Sequence, residues 1–156
     1  MRKTTGAFSL LLAAGLFFWG CGSNTADSFD RELNGKTFTA STDNGEAVYE
    51  FDRTRVKIEK PGDNGKATRY LNIERIVNDE KKLIVALPAD KKAYNEDDAG
   101  KYMPYYVYFW ETLDSGEVLF VKPPEVKKPN MQNAMKASRP ADSKCTITTL
   151  KPAGNE

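Results

Sequence analysis

From residue 36 onward, apolar and polar residues alternate in short runs with a period of two, the pattern of half-buried strands. In EAVYEFD, residues 46–52, Ala47, Tyr49 and Phe51 share one face while Val48, Glu50 and Asp52 share the other. In RVKIE, residues 55–59, Val56 and Ile58 point inward and Arg55, Lys57 and Glu59 outward. PGDNG at 61–65 predicts a turn, because proline fixes φ and Asn-Gly tolerates positive φ. Residues 66–77 set Leu71 and Ile73 on one side, and a second phase begins at Ile76. NDEKK at 78–82 is a polar turn, and LIVAL at 83–87 is apolar on both faces, so it should lie deep. Residues 73–77 and 83–87 therefore predict a hairpin. YYVYFWE at 105–111 turns at LDSG, 113–116, and returns as EVLFV, 117–121; residues 36–41 and 144–151 supply a first and a last strand.

About eight strands joined mainly by short turns, with no substantial helix, predict an all-β fold and a single antiparallel meander. Closing it into a small barrel removes exposed edges; a β-sandwich is the alternative. Two connections are long. Residues 88–104 could hold a short helix capped by Asp90, and their NEDD run lacks the spacing of a calcium loop. Residues 123–142 are rich in Pro and Lys, and Met131 and Met135 at a spacing of four could lay one or two helical turns on the domain.

The 105–111 run poses a question. Tyr105, Val107 and Phe109 face one way and Tyr106, Tyr108 and Trp110 the other, so both faces are aromatic. One face can be core and the other covered by a loop. Alternatively, one face lines a cavity or a partner surface, which makes Tyr105, Tyr106, Tyr108 and Trp110 candidate contact residues, with Tyr94 and Tyr102 able to close over them.

The first 24 residues differ from the rest. Arg2 and Lys3 precede an uncharged apolar run, residues 7–19, that ends at Gly20-Cys21. At about 13 residues the run is too short for a membrane span, which needs roughly 20, and it fits the core of a secretory signal. Gly20-Cys21 resembles a bacterial lipobox. Phe18 and Trp19 stand where Leu and a small residue are usual, as in the looser lipoboxes of some lineages, spirochaetes among them. The resemblance implies cleavage before Cys21, a diacylglycerol on its thiol, and acylation of the new amino terminus with fatty chains such as palmitate. Each buried methylene adds about 0.8 kcal/mol to membrane affinity, so two or three chains hold a protein stably. Gly22 after the cysteine implies the outer membrane of the cell envelope by similarity to enterobacterial sorting. The expected organisation is a signal peptide at 1–20, a lipidated Cys21 with a polar tether at 21–31, and one β domain at 32–156. LNGKTFTAS at 33–41 resembles the Leu-x-Gly-x-aromatic opening of lipocalin-like domains, with Phe38 one residue late and in place of Trp. That resemblance implies a barrel that either fills itself or holds one small ligand.

Charge and chemistry narrow the function. Removing residues 1–20 takes Arg2 and Lys3 from the 23 basic residues and none of the 22 acidic ones, leaving −1. Such a surface gives no footprint for nucleic acid. The chain has no histidine, which excludes histidine triads, imidazole-ligated zinc and histidine acid–base catalysis. With Cys21 lipidated, Cys145 has no partner for a disulfide and is expected at a buried strand position. No cofactor or metal site is expected. A carboxylate pair could still hydrolyse glycans, with Glu50, Asp52, Glu59, Glu74 and Glu111 as candidates, but solvated surface explains each of them better. The chain reads as a non-enzymatic, lipid-anchored envelope module that binds a small apolar ligand or a protein partner; the alternative is a purely structural envelope lipoprotein.

Overall fold

Each short polar turn sends the chain back antiparallel to the strand before it. The structure, a computed structural model, describes residues 27–86, 105–124 and 130–154. Its strands are β1 (Thr37–Thr42), β2 (Gly45–Phe51), β3 (Arg55–Gly62), β4 (Gly65–Val77), β5 (Lys82–Ala86), β6 (Tyr105–Thr112), β7 (Val118–Lys122) and β8 (Thr146–Pro152), with short helices α1 (Ser28–Glu32) and α2 (Met131–Lys136). Every strand pairs antiparallel with its sequence neighbours, and β8 returns to β1, so the sheet is a closed eight-stranded barrel. The closing seam sets Phe38 opposite Pro152 and Thr39 opposite Lys151. Closure decides against the sandwich.

Alternation fills the barrel. Ala47, Tyr49, Phe51, Val56, Ile58 and Leu71 point inward as their spacing predicts, and join Leu83, Val85, Phe120 and Leu150. The aromatic rings meet one another: Phe51 packs edge-on against Phe38 at 5.7 Å and Phe120 at 5.6 Å, and Tyr108 stacks on Phe120 at 4.8 Å. The phase change at Ile76 is a β-bulge. The register against β5 slips between Ile73 and Arg75, so Glu74 is an extra residue and Ile73 and Ile76 both pack against the interior. The turn at 63–64 ends on Gly65 with φ +117°, a conformation that β-carbons disfavour.

The doubly apolar strands have a second cover outside the barrel. Ile84, Val107, Phe109 and Val121 form an outer cluster with Ala134, and Met131 and Met135 pack against it. Helix α2 thus lies on the outer face of β5 and β6, started by the Asn130 side chain, which accepts from the Asn133 N–H at 2.8 Å. Lys82 is fully buried at its far end. Its ammonium donates to the carbonyls of Met135 at 2.8 Å and Ala137 at 3.0 Å and to Glu80 at 2.8 Å. The last carbonyls of a helix lack intrahelical partners, and here a lysine supplies them.

Two expectations need correcting. The polar tether expected through Arg31 ends earlier, because α1 occupies 28–32 and Phe29 and Leu33 are fully buried. Phe29 and Leu33 plug the barrel end, and Phe29 meets Trp110 edge-on at 5.9 Å. Asn78 accepts from the Phe29 N–H at 3.1 Å and caps the helix from across the chain. Cys145 is not in a strand. It follows a 3-10 turn at Asp142–Lys144, where its N–H donates to the Asp142 carbonyl at 2.9 Å and is thereby taken out of the ladder; its side chain is half-buried against the outer cluster.

Candidate functional site

The two ends of the barrel differ. At the α1 end, Glu32 accepts from the Trp110 indole at 3.0 Å, the Thr112 hydroxyl at 2.8 Å and the Lys81 ammonium at 3.0 Å. Burial pushes its carboxyl up, but Lys81, Thr112 and Arg31 outweigh that and hold it at about 2. This end is tied shut. A depression of about 780 Å³ beside it is lined by segments 35–38 and 152–154 with Thr112 and Gly116, and its carboxylate is Glu32, already engaged by Trp110, Thr112 and Lys81.

The other end is the rim where β5 stops, β6 starts, β7 stops and β8 starts. A cleft of about 440 Å³ opens there, between the edge of the barrel and the segment running from α2 to Pro140. Its volume lies within the roughly 300–1,000 Å³ of small-molecule sites. Tyr105, Tyr106, Val107, Pro123 and Pro124 give it an apolar wall, and Lys122 and Lys136 its charge. Tyr105 and Tyr106 both reach the cleft, although they point to opposite faces of β6, because β6 begins at the rim and the cleft straddles it. Inside the mouth, burial pushes the hydroxyls of Tyr49 and Tyr108 up, while the Arg69 charge pulls both partly back. Lys122 holds its ammonium 5.3 Å from the Tyr106 ring centre.

Of the residues singled out in the sequence, Tyr105 and Tyr106 are half-buried and meet at the cleft. Tyr108 and Trp110 do not join them. They are 7% and 1% exposed and belong to the barrel core, so they offer no surface to a partner. The two aromatic faces of β6 thus resolve as core inside and a packed-over segment outside. Cys21, Tyr94, Tyr102 and the NEDD run lie outside the described residues. The lysines of the cleft were missed, yet Lys122 carries a signal: continuing the inward alternation of Val118 and Phe120 by one step turns it into the mouth.

The five carboxylates considered for catalysis do not line this cleft. Glu50 and Glu59 pair with Lys57, and Glu111 with Arg139 at 2.7 Å. Asp52 accepts from the backbone of Thr54 and Arg55 and from the Thr54 hydroxyl, which outweigh its slight burial and lower it. Glu74 is the exposed bulge residue. Among the described residues, no group of three or more Cys, Asp or Glu side chains gathers as a metal site would require.

Neither a protein-family profile nor a curated protein matches the chain. Among solved structures, the chain is similar to a DUF4909 family protein from Staphylococcus aureus subsp. aureus Mu50, at 18% identity and a TM-score of 0.43, covering 78% of this chain and 97% of that one.

Proposed function

We propose that the chain is a lipid-anchored protein of the bacterial envelope whose barrel is a non-catalytic binding module, with the rim cleft as its site. A small apolar ligand or a segment of a protein partner would enter between Tyr105, Tyr106 and the prolines. The observation that carries this reading is the cleft itself. It is an apolar recess of about 440 Å³ edged by two lysines, set at the rim of a barrel whose lumen rings pack against each other. Aromatic side chains in such recesses concentrate contact energy. The anchor rests on Gly20-Cys21 and the apolar run before it.

The rival reading is a structural envelope protein without a ligand. It draws on the placement of Tyr108 and Trp110 in the core. One measurement tests the anchor and a second separates the readings. Mass spectrometry of the protein taken from membranes should show a chain beginning at an acylated Cys21; an unmodified Cys21 defeats the anchor. A photo-crosslinking amino acid at Tyr105, in living cells, should capture a ligand or a protein as a defined adduct. An acylated protein that captures nothing at Tyr105 would leave the structural reading standing.

A further inference from the structure

Resting on the reading of the rim cleft as a binding site, we infer that its ligand is an anionic amphiphile. An apolar chain would lie against Tyr105, Tyr106 and the prolines, and one carboxylate or phosphate headgroup would be held by Lys122 and Lys136.

Three observations lead there. First, among the described residues the cleft wall contains two cations and no carboxylate. Among the described residues, neither Lys122 nor Lys136 has a carboxylate within 4 Å, so both ammonium groups are open to an anion. Lys136 is exposed and needs no partner, but Lys122 is half-buried. The Lys122 stem is half-buried and its ammonium lies over the Tyr106 ring, so the charge is presented at the cleft instead of pointing freely into solvent.

Second, the strand register gives the mouth one sign of charge. By strand alternation, Lys60, Arg69 and Lys122 are the charged residues on the inward side at this end of the described strands; all three are cations, and of them Lys122 lines the cleft itself. The Arg69 charge reaches the Tyr49 and Tyr108 hydroxyls below it. A recess lined by one sign of charge with low-dielectric walls focuses the field on whatever enters. The protein as a whole is near neutral, so this local excess comes from placement and not from composition.

Third, the apolar part of the wall is too large for an inorganic ion alone. Val107, Ala137 and three prolines, Pro123, Pro124 and Pro140, offer hydrocarbon and no hydrogen-bonding side chain. Together these features suit a molecule with one charged end and one greasy end. A fatty carboxylate and a phosphate-headed lipid both have that chemistry.

The test is equilibrium dialysis of the full chain, held in a neutral maltoside at equal concentration on both sides. The probes are octanoate, octyl phosphate, octyltrimethylammonium, 1-octanol and inorganic phosphate. Octanoate, octyl phosphate or both should be retained well above the other three, and the preference between them tells a carboxylate source from a phosphate source. Lys122→Gln should weaken that retention about tenfold or more, as expected for a lost charge-assisted contact, with circular dichroism unchanged. Lys136→Gln, on an exposed residue, is the second variant if the first disturbs the barrel. Equal retention of the octyl cation or of octanol would overturn the anionic headgroup and leave the apolar site intact. Equal retention of inorganic phosphate would overturn the amphiphile. Retention of none of the octyl probes would also sink the inference, whereas a protein adduct at Tyr105 would still support the cleft as a site.

Discussion

Replacing Glu32 by Gln tests how the barrel is closed. The side chain is nearly isosteric and keeps one oxygen for the Trp110 indole or the Thr112 hydroxyl, but it loses the charge that Lys81 faces. The carboxyl stands at about 2 in the fold against an ordinary 4.5. At about 1.36 kcal/mol per pKa unit, that difference corresponds to at most about 3 kcal/mol of stability. Lys81 is 38% exposed, so solvent screens part of it, and about 2 kcal/mol is the expected loss at pH 7. The sign follows from the depressed value. The contribution is complete above the unfolded pKa near 4.5 and is lost as pH falls through 2, where the wild-type carboxyl takes a proton. Urea unfolding followed by circular dichroism at pH 7, 5, 3 and 2 would show it. The gap between wild type and Glu32→Gln should be steady from pH 7 to 5 and shrink towards pH 2. A gap of the same size at every pH would refute the electrostatic account, since only hydrogen-bond geometry would then distinguish the two chains.

Lys82→Met keeps the buried stem and removes the ammonium from the carbonyls of Met135 and Ala137, so α2 should loosen; urea unfolding should show about 2–4 kcal/mol lost, and amide exchange in α2 should accelerate. Unchanged exchange in α2 would mean that water replaces the ammonium without cost. Phe29→Ala should cost about 3–5 kcal/mol and lower the melting temperature by about 10 °C, because the ring is fully buried against Trp110. A change under about 1 °C would return residues 28–31 to the role of a tether.

The barrel was legible because period two is a local property. Ala47, Tyr49 and Phe51, or Val56 and Ile58, declare one face within a few residues, and Asn64-Gly65 declares the turn after them. Even the bulge at Glu74 showed as a break in phase at Ile76. What could not be read was contact between distant segments. Phe29 looks like a stray apolar residue in a polar stretch until Trp110 is placed beside it, 81 positions along the chain. Lys82 reads as a turn lysine, and its burial depends on α2, more than 50 residues away. The cleft was half legible for the same reason. Tyr105 and Tyr106 were singled out as candidates, but which faces of β6 stay open depends on what α2 covers. Trp110 and Tyr108 were named with them because alternation assigns a residue to a face without saying which face is core.

The proposed anchor would constrain how the cleft is presented. Residues 21–27 span at most about 25 Å at roughly 3.3–3.6 Å each, so acyl chains on Cys21 would keep Ser28 within about that distance of the bilayer. Ser28 opens α1, at the closed end of the barrel. The cleft lies at the opposite end, one strand length away; eight residues of tilted β6 amount to about 20 Å. On the proposed anchor, the closed end would lie nearer the anchoring leaflet and the cleft nearer the aqueous space. Only a linker stretched alongside the barrel could bring the cleft onto that same leaflet. A ligand that stays in the leaflet would therefore meet the wrong end of the protein. One that arrives through water, singly or carried by another protein, would meet the rim where Lys122 and Lys136 stand. Lengthening the 21–27 segment should accordingly leave capture at Tyr105 unchanged if the ligand comes from solution, and increase it if the ligand comes from the anchoring membrane.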